Sequence, residues 1–396
     1  MIVDDDLRRR LLAGRHQLGS SGRANRSIAQ AARALALLHS SDPSTPYLSL
    51  HARTRASTDD IDAAFYDDRS LLRHTTLRGT IFAMPLDVAA VAHGSCNGRL
   101  VRTLQKNLLR WIEESPDTSM PPERFLGTTG DAIVELLRRD GAMTGRSLAE
   151  ELPALRVRVD PSPTGSSSRP MRITSRVLEL VAAEGRIARG RPTGNDFTSG
   201  SWTWAAMDDW LGAAAIPEVH PDEALAGLVR RYLSTFAPAT VTDLAWWTGL
   251  PSGQIRVAAQ RCGSREVSLM NAAEPGLVLI EDDLSAPAVS GDVALLPGLD
   301  STTMGWKQRS WYVDDRFETG IFDRNGNAGP TIWFEGRVVG AWTQRPDGEV
   351  VTQLFDDVGS DALDLVEREA ERVGAWLGDV RVKWRFPTPI TKRLGA

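Results

Sequence analysis

The pattern that most constrains the fold of this chain is a repeated succession of helical segments, each followed by two short strand-like segments. In the first succession, apolar residues spaced three and four apart predict a helix from Ser27 to Leu38 that ends before Pro43. Ser57 begins another predicted helix, and residues 71–84 predict two short strands. Helices followed by a small hairpin are typical of a winged helix.

The same succession occurs twice more along the chain. The second pass predicts helices at 131–139 and 144–152, a flexible connection at 160–170, a recognition helix at 174–183, and wing strands from 185 to 204. The third pass predicts helices at 224–236, 240–247 and 249–262, with a wing at 267–280. Three such passes favour tandem winged-helix units over chance patterning.

Beyond about residue 290 the pattern changes to strands separated by turns, and a helix is predicted at 361–377. The predicted fold class is therefore α+β, with three tandem winged helix-turn-helix units and a C-terminal β-rich domain. The predicted domains are 1–120, which includes a helical extension, 121–215, 216–285 and 286–396.

Composition excludes several classes of protein. Hydrophobic residues make up 42% and charged residues 24%, which is typical of a folded globular chain and not of a disordered one. No apolar stretch is long enough to span a membrane, and the acidic N-terminus does not resemble a signal peptide. The two cysteines, Cys96 and Cys262, lie far apart and support neither a disulfide framework nor a zinc site. We expect a cytoplasmic protein.

The formal net charge is −5, but the charges are unevenly distributed. Between Arg138 and Arg191, eleven arginines accompany six acidic residues, whereas between Glu281 and Arg372 eight basic residues accompany nineteen acidic ones. Only four of the 46 basic residues are lysines. Arginine suits phosphate and base edges, although a GC-rich genome produces the same bias without any function.

Generic catalytic and cofactor motifs are absent from the sequence. There is no Gly-x-Gly-x-x-Gly, no Walker loop and no Gly-x-Ser-x-Gly, so no nucleotide cofactor is expected. The six histidines show no metal-ligand spacing, and no metal is expected. Residues 323–327 superficially resemble a calcium loop, but an Asn-Gly turn explains them better. These features alone indicate a winged-helix-like protein, with DNA binding as one possible role.

Five stretches carry a resemblance to a known family. They are Leu38-His-Ser-Ser-Asp-Pro-Ser-Thr-Pro-Tyr-Leu-Ser-Leu-His-Ala-Arg53, residues 77–85, residues 228–233 with 238–249, residues 295–300 ahead of Arg309, and residues 336–342. In these segments the chain resembles the bacterial winged-helix DNA glycosylases typified by AlkZ and YcaQ. The matches occur in order over nearly the whole length. The motifs are fairly specific for membership and are not specific for the substrate.

The resemblance implies a C-shaped channel for double-stranded DNA and hydrolysis of the N-glycosidic bond of an alkylated purine, often an N7-guanine adduct. The expected enzyme is a monofunctional DNA glycosylase, monomeric and without a cofactor, that removes bulky N7-guanine adducts. Such an activity suits base excision repair and self-resistance to a genotoxic natural product of the azinomycin or trioxacarcin type.

The family motif is Gln-x-Gln or Gln-x-Asp just before an Asp-Pro pair, and Asp42-Pro43 aligns it with His39-Ser40-Ser41. Both glutamine positions therefore depart from the family pattern. By resemblance, His39 is the candidate water-positioning base and Ser41 its hydrogen-bonding partner. Asp42 could instead supply negative charge, or simply cap the next turn. His39 could also be an ordinary surface residue at a helix end.

The candidate DNA-binding residues are arginines in the first wing and in the recognition helix and wing of the second unit. They are Arg78, Arg172, Arg176, Arg186, Arg189 and Arg191. A solvated charged face is the alternative for the five arginines of the second unit, and strand pairing within the first wing is the alternative for Arg78. Asp300 and Arg309 are candidate channel residues, which a structural ion pair explains equally well.

The other function considered is a non-catalytic winged-helix DNA-binding protein, either a regulator or an adduct sequestrator. In that case the departures from the family motif at His39 and Ser41 would mean that the catalytic activity has been lost. Both functions imply salt-sensitive DNA binding, but only a glycosylase leaves abasic sites that break in alkali.

Overall fold

The computed structural model describes residues 2–19, 23–161, 169–194, 197–212, 215–286, 291 and 293–396. Its helices and small sheets confirm the predicted mixed α+β class. The winged-helix geometry of the three units, their boundaries and the C-shaped channel stay predictions. The predicted flexible connection falls mostly on residues 162–168, which lie outside the described residues.

The N-terminal segment and the first unit together contain five helices and four strands among the described residues. They are β1 (Ile2–Val3), α1 (Asp5–Arg15), α2 (Ile28–Ala34), β2 (Leu38–His39), α3 (Thr45–His51), α4 (Thr58–Asp62), β3 (Leu71–Thr75), β4 (Ile81–Pro85) and α5 (Leu86–Ala92). Two π-helical segments extend α4 and α5, at Ala63–Asp67 and His93–Asn97. The predicted hairpin forms from β3 and β4, and β2 adds to it in the order β2–β4–β3.

The helix predicted from Ser27 to Leu38 begins correctly, because Ser27 and Gln30 form a reciprocal capping box. Its predicted end was wrong. The helix stops at Ala34, Ala36 adopts a φ of 57°, and Leu38 and His39 pair with Ala83 and Phe82 of the hairpin. Pairing with β4 thus replaces the last helical turn, and His39 lies on a strand, not at a helix end.

The second unit has a hydrophobic core of its own. Its elements are α6 (Gly98–Glu113), α7 (Pro122–Asp140), β5 (Met143–Thr144), α8 (Gly145–Glu151), β6 (Arg158–Val159), β7 (Met171–Arg172), α9 (Thr174–Ala183), β8 (Ile187–Pro192), β9 (Trp202–Ala206) and α10 (Met207–Leu211). The helix α9 has the predicted bounds, and Thr144 caps α8 as expected. Leu108 and Ile112 of α6 pack into this core, although the prediction placed α6 in the first domain.

The sheet of the third unit includes a strand from the start of the chain. It contains α11 (Pro221–Phe236), α12 (Val241–Thr248), α13 (Ser252–Arg261), β10 (Ser264–Leu269) and β11 (Gly276–Leu279). β1 pairs in parallel with β10, so that Ile2 faces Ser268 and Val3 faces Leu269. The N-terminal segment therefore packs on the third unit, whereas the predicted domain boundaries assign it to the first.

The C-terminal part contains the predicted strands and helix. It is built from β12 (Val293–Leu296), α14 (Asp315–Ile321), β13 (Thr331–Phe334), β14 (Arg337–Gln344), β15 (Val350–Leu354), α15 (Ser360–Leu377) and α16 (Pro389–Leu394). The four strands form one antiparallel sheet in sequence order. The turn predicted at 323–327 is confirmed, since the Asp323 carboxylate accepts the amide hydrogens of Asn325 and Asn327.

A fully buried ion pair joins the first unit to the C-terminal part. Arg53, just after α3, binds Asp300 through two hydrogen bonds of 3.0 Å, and neither side chain is exposed. Ser49 and the Thr302 amide donate to the same carboxylate. Burial alone would raise the pKa of Asp300, but the charge of Arg53 and these hydrogen bonds lower it overall.

Replacing Asp300 by asparagine should destabilise the fold, because Arg53 would keep a buried charge without its counterion. We expect Asp300→Asn to lower the free energy of unfolding by about 3–5 kcal/mol in urea titrations. Asp208→Asn is the matched control, since Asp208 pairs with Arg138 on the surface and its loss should change stability little. Similar effects of the two substitutions would show that the buried pair has no special role.

Candidate active site and nucleic-acid interface

The segment His39-Ser40-Ser41-Asp42 connects β2 to α3 at the edge of the first sheet. The amide of Ser40 donates to the Ile81 carbonyl at 2.8 Å and continues the pairing of β2 with β4. After Ser40 the chain leaves the sheet and turns into α3. The candidate catalytic residues are therefore held between a strand and a helix.

The carboxylate of Asp42 is buried and fully engaged within the protein. One oxygen accepts hydrogen bonds from the Ser44 amide at 3.0 Å and the Ser44 hydroxyl at 2.6 Å. The other accepts the backbone N–H of Arg385 at 2.8 Å. This arrangement holds the turn before α3 and matches the capping role that was one alternative for Asp42.

His39 is half-buried beside Phe82, with their ring centroids 5.3 Å apart. Burial lowers the pKa of His39 to about 3, and the positive charge of Arg78 acts in the same direction. The Ser41 amide donates a long hydrogen bond of 3.4 Å to His39 Nδ1. The ring is therefore neutral near pH 7, and its proton belongs on Nε2.

A cleft of about 750 Å³ adjoins this segment. Ser41 lines the cleft, whereas His39 is not among the described residues that do. Other lining residues come from three parts of the chain: Thr75 and Ile81 of the first unit, Arg172, Arg189, Trp202 and Trp204 of the second, and Arg385 and Phe386 near the C-terminus. The structure thus brings Ser41, Arg172 and Arg189 together.

Two buried arginines lie next to this cleft. Arg189 is 7% exposed, donates to the Thr75 hydroxyl at 2.9 Å, and lies 4.8 Å from the Trp204 ring centroid. Burial lowers its pKa to about 10. Arg73 donates to the Ser40 hydroxyl at 3.1 Å and lies 3.7 Å from the Phe65 ring centroid. Within the described part of the chain neither forms an ion pair with a carboxylate, and Arg189 lines the cleft itself.

The sequence did not single out Arg73 or Arg385, although both hold the candidate segment. Arg385 donates through Nη1 to the Ser41 carbonyl at 3.0 Å and through its backbone amide to Asp42. A signal for Arg73 was present, because it interrupts the apolar strand of Leu71 and Leu72. Arg385 belongs to a basic run at 381–385, but nothing in that run indicated its partners, which lie more than 340 residues away.

The six candidate DNA-binding arginines fall into different electrostatic settings. Three of them form ion pairs with carboxylates of the protein. Arg176 pairs with Glu179, and Arg186 pairs with Asp131 and Glu184. Arg191 pairs with Asp62 and Asp67. Arg172 and Arg78 are exposed and have no ion pair within the described residues. A guanidinium already neutralised by a carboxylate gains less from a phosphate, so Arg172 and Arg78 are the stronger candidates.

Further basic side chains that sequence reasoning missed lie on α6. Arg99 and Arg102 are exposed and line a second cleft of about 510 Å³ between α6, α11 and α13. Arg78 lies beside both clefts. Its neighbour in sequence, Gly79, lines the first cleft. Its side chain contacts Gly249, and the next residue, Leu250, lines the second cleft. The exposed arginines in or beside the two clefts, here called the basic track, are Arg172, Arg385, Arg78, Arg99 and Arg102.

The candidate channel residues Asp300 and Arg309 do not pair with each other. Asp300 is fully buried against Arg53, which matches the structural alternative. Arg309 is half-buried, with its guanidinium 3.9 Å from the Phe322 ring centroid and 5.5 Å from that of Trp246. Arg78 lies 5.0 Å from the same Trp246 ring, so Arg309 adjoins the basic track through that indole.

Within the described residues, no group of three or more histidine, cysteine, aspartate or glutamate side chains is arranged to hold a metal ion. A search of the same residues finds no helix of the length and apolarity needed to cross a membrane.

Comparison with known proteins decides the family. A family model described as "DNA glycosylase AlkZ-like" matches residues 32–376, which include the candidate segment, the lining of the second cleft and that of the first except Arg385 and Phe386. The chain belongs to the AlkZ-like DNA glycosylase family. An interstrand DNA cross-link repair glycosylase of Streptomyces sahachiroi is 25% identical over 326 residues, covering 81% of this chain and 82% of the relative.

The solved structure of the Streptomyces sahachiroi DNA glycosylase AlkZ has a similar fold. The two superpose with a TM-score of 0.72 over 97% of this chain and 100% of the other, at 22% sequence identity. The AlkZ-like fold of this chain thus extends to its N-terminal segment and C-terminal part, beyond the residues matched by the family model.

Arg172 and Arg176 offer a matched test of the basic track, because both are exposed and lie four residues apart. Arg172→Ala should weaken binding to duplex DNA and lower the slope of log K against log salt by about one, since one phosphate contact is lost. Arg176→Ala should have a smaller effect because Glu179 already neutralises that charge. Fluorescence anisotropy over a salt series measures both. A larger loss with Arg176→Ala would contradict the assignment.

Proposed function

We propose that this AlkZ-like protein hydrolyses the N-glycosidic bond of bulky N7-alkylguanine adducts in double-stranded DNA. The observation that carries the proposal is the position of Ser41 in a large cleft whose three arginines, Arg172, Arg189 and Arg385, form no ion pair with any described carboxylate. A relative described as an interstrand DNA cross-link repair glycosylase supports damaged DNA as the substrate. We also propose that this activity protects a cell from a genotoxic natural product of the azinomycin or trioxacarcin type.

The chemistry needs little acid assistance from the protein. Alkylation at N7 makes the guanine cationic, so the bonding electrons return to the base as the glycosidic bond breaks and the base leaves neutral. Water adds to the anomeric carbon and releases one proton to solvent. The remaining tasks are to place that water and to stabilise positive charge on the sugar.

We assign His39 to positioning this water, in partnership with Ser41. A histidine with a pKa of about 3 is a weak base, but the neutral ring can donate a hydrogen bond from Nε2 to the water oxygen. The Ser41 hydroxyl, which lines the cleft, can accept a hydrogen bond from the same water. Asp42 holds the turn beneath them and contributes through position.

The cleft also favours a monofunctional mechanism, in which water and not an amine attacks the sugar. A bifunctional glycosylase needs a nucleophilic amine that forms a Schiff base. Among the described residues that line the cleft there is no lysine. Water is therefore the nucleophile that the described surroundings of Ser41 best accommodate.

Substitution of the candidate residues tests the proposed reaction. On a duplex with one N7-alkylguanine, His39→Ala should slow excision about 100-fold and Ser41→Ala about tenfold, in the range for loss of groups that orient a reacting water. His39→Gln should retain more activity, because its amide N–H can still donate to the water. Alkali cleavage of the abasic strand provides the measurement.

His220→Ala is the control, since His220 is exposed at the start of α11. Excision that survives His39→Ala would move the chemistry away from this residue. DNA binding without excision of any adduct would favour the non-catalytic DNA-binding protein.

The pH dependence distinguishes a water-positioning His39 from a general base with an ordinary pKa. Because the pKa of His39 is lowered to about 3, only about one per cent of it is protonated at pH 5. Activity that needs the neutral ring should stay level from pH 8 to pH 5 and fall only as pH approaches 3. Single-turnover rates, corrected for spontaneous depurination, measure this profile. A tenfold loss per unit below pH 6.5 would contradict it.

A further inference from the structure

The cleft beside Ser41 presents aromatic side chains from two distant parts of the chain. Trp202 lies on β9 of the second unit, and Phe386 lies between α15 and α16 near the C-terminus. Both line the cleft and both are half-buried. Neither belongs to the two hydrophobic cores formed by the described residues, so packing of the fold does not account for them.

The surroundings of Trp202 set it apart from its neighbour Trp204. The two indoles lie two residues apart and so on the same face of β9. Trp204 packs against the core of the second unit and against Arg189, which gives it a structural role. Trp202 lies 5.9 Å from the guanidinium groups of both Arg73 and Arg189. Because Trp202 is only half-buried and lines the cleft, part of its ring is accessible to a ligand there.

The size and charge of the cleft indicate what it can hold. A volume of about 750 Å³ lies within the range of sites for drug-sized molecules. Its only carboxylate among the described lining residues is Glu179, which pairs with Arg176, whereas Arg172, Arg189 and Arg385 are cationic. Aromatic faces with guanidinium donors suit a planar ring system that carries hydroxyl or carbonyl oxygens.

We propose that Trp202 and Phe386 bind the planar aromatic portion of the guanine adduct and determine specificity for bulky lesions. This inference rests on the proposed glycosylase function and adds the two side chains that recognise the ring system of the adduct. Stacking of the adduct on these rings would hold the alkylated guanine next to Ser41. The two residues act as specificity determinants and take no part in the bond cleavage.

Two duplexes of the same sequence test the proposal. One carries N7-methylguanine, and the other carries the N7-guanine adduct of aflatoxin B1 epoxide, which is a fused planar ring system with carbonyl oxygens. Trp202→Ala and Phe386→Ala should each lower kcat/KM for the aflatoxin adduct about tenfold, the size expected for one lost stacking contact. Excision of N7-methylguanine should change less than about twofold, since that lesion has no ring to stack.

Trp202→Phe should restore most of the activity on the aflatoxin adduct, because it keeps an aromatic face. Trp111→Ala is the control for loss of an indole elsewhere, since Trp111 lies on α6 and outside the lining residues of the cleft. Dissociation constants for both duplexes, measured in parallel, give the same comparison where one lesion is excised too slowly to follow. Retained N7-methylguanine binding or excision also shows that each variant is folded.

The outcomes separate the two proposals. Selective loss on the aflatoxin adduct supports the inference. Equal loss on both lesions overturns it, because the rings would then hold the extruded base or the DNA strand, and so does unchanged activity on both. If the wild-type protein excises neither lesion, the proposed function fails, and the inference that rests on it fails as well.

Discussion

The buried ion pair between Arg53 and Asp300 is the contact on which the arrangement of the site depends. It joins the end of α3 to the loop after β12, across 247 residues of sequence, and both side chains are fully buried. His16 adds to it, since its carbonyl accepts the Arg53 Nε–H and its ring contacts the Thr302 hydroxyl. Because a buried charge is costly without its partner, the first unit and the C-terminal part must assemble together.

The candidate catalytic segment is held from both of these parts. β2 fixes one end by pairing with β4, while Arg385 holds Asp42 and the Ser41 carbonyl from the C-terminal side. Thr45, at the start of α3, donates to the Gly298 carbonyl at 2.7 Å. The segment as a whole is thus held by residues far away in sequence, which is how a fold keeps groups at a set distance from a reacting water.

The distribution of charge reconciles a net negative chain with DNA binding. The acidic residues are concentrated between Glu281 and Arg372, and carboxylates elsewhere neutralise several arginines, among them Arg186 and Arg191. The arginines that form no ion pair within the described part of the chain include the basic track and the buried Arg73 and Arg189. The positions of guanidinium groups without a carboxylate partner therefore predict DNA binding better than the net charge does.

Local sequence determined the helices and hairpins, because their caps and turns form between residues a few positions apart. Examples are the capping box of Ser27 with Gln30, the bounds of α9 and the turn at Asp323. The order of matching segments also indicated the family. Only the tertiary structure decided that Leu38 and His39 form a strand, that β1 joins β10, and that Arg385 holds Asp42. These contacts join segments from about 40 to more than 340 residues apart. Periodicity and spacing reflect only local neighbours, so they do not predict which distant segments pack together when the core forms.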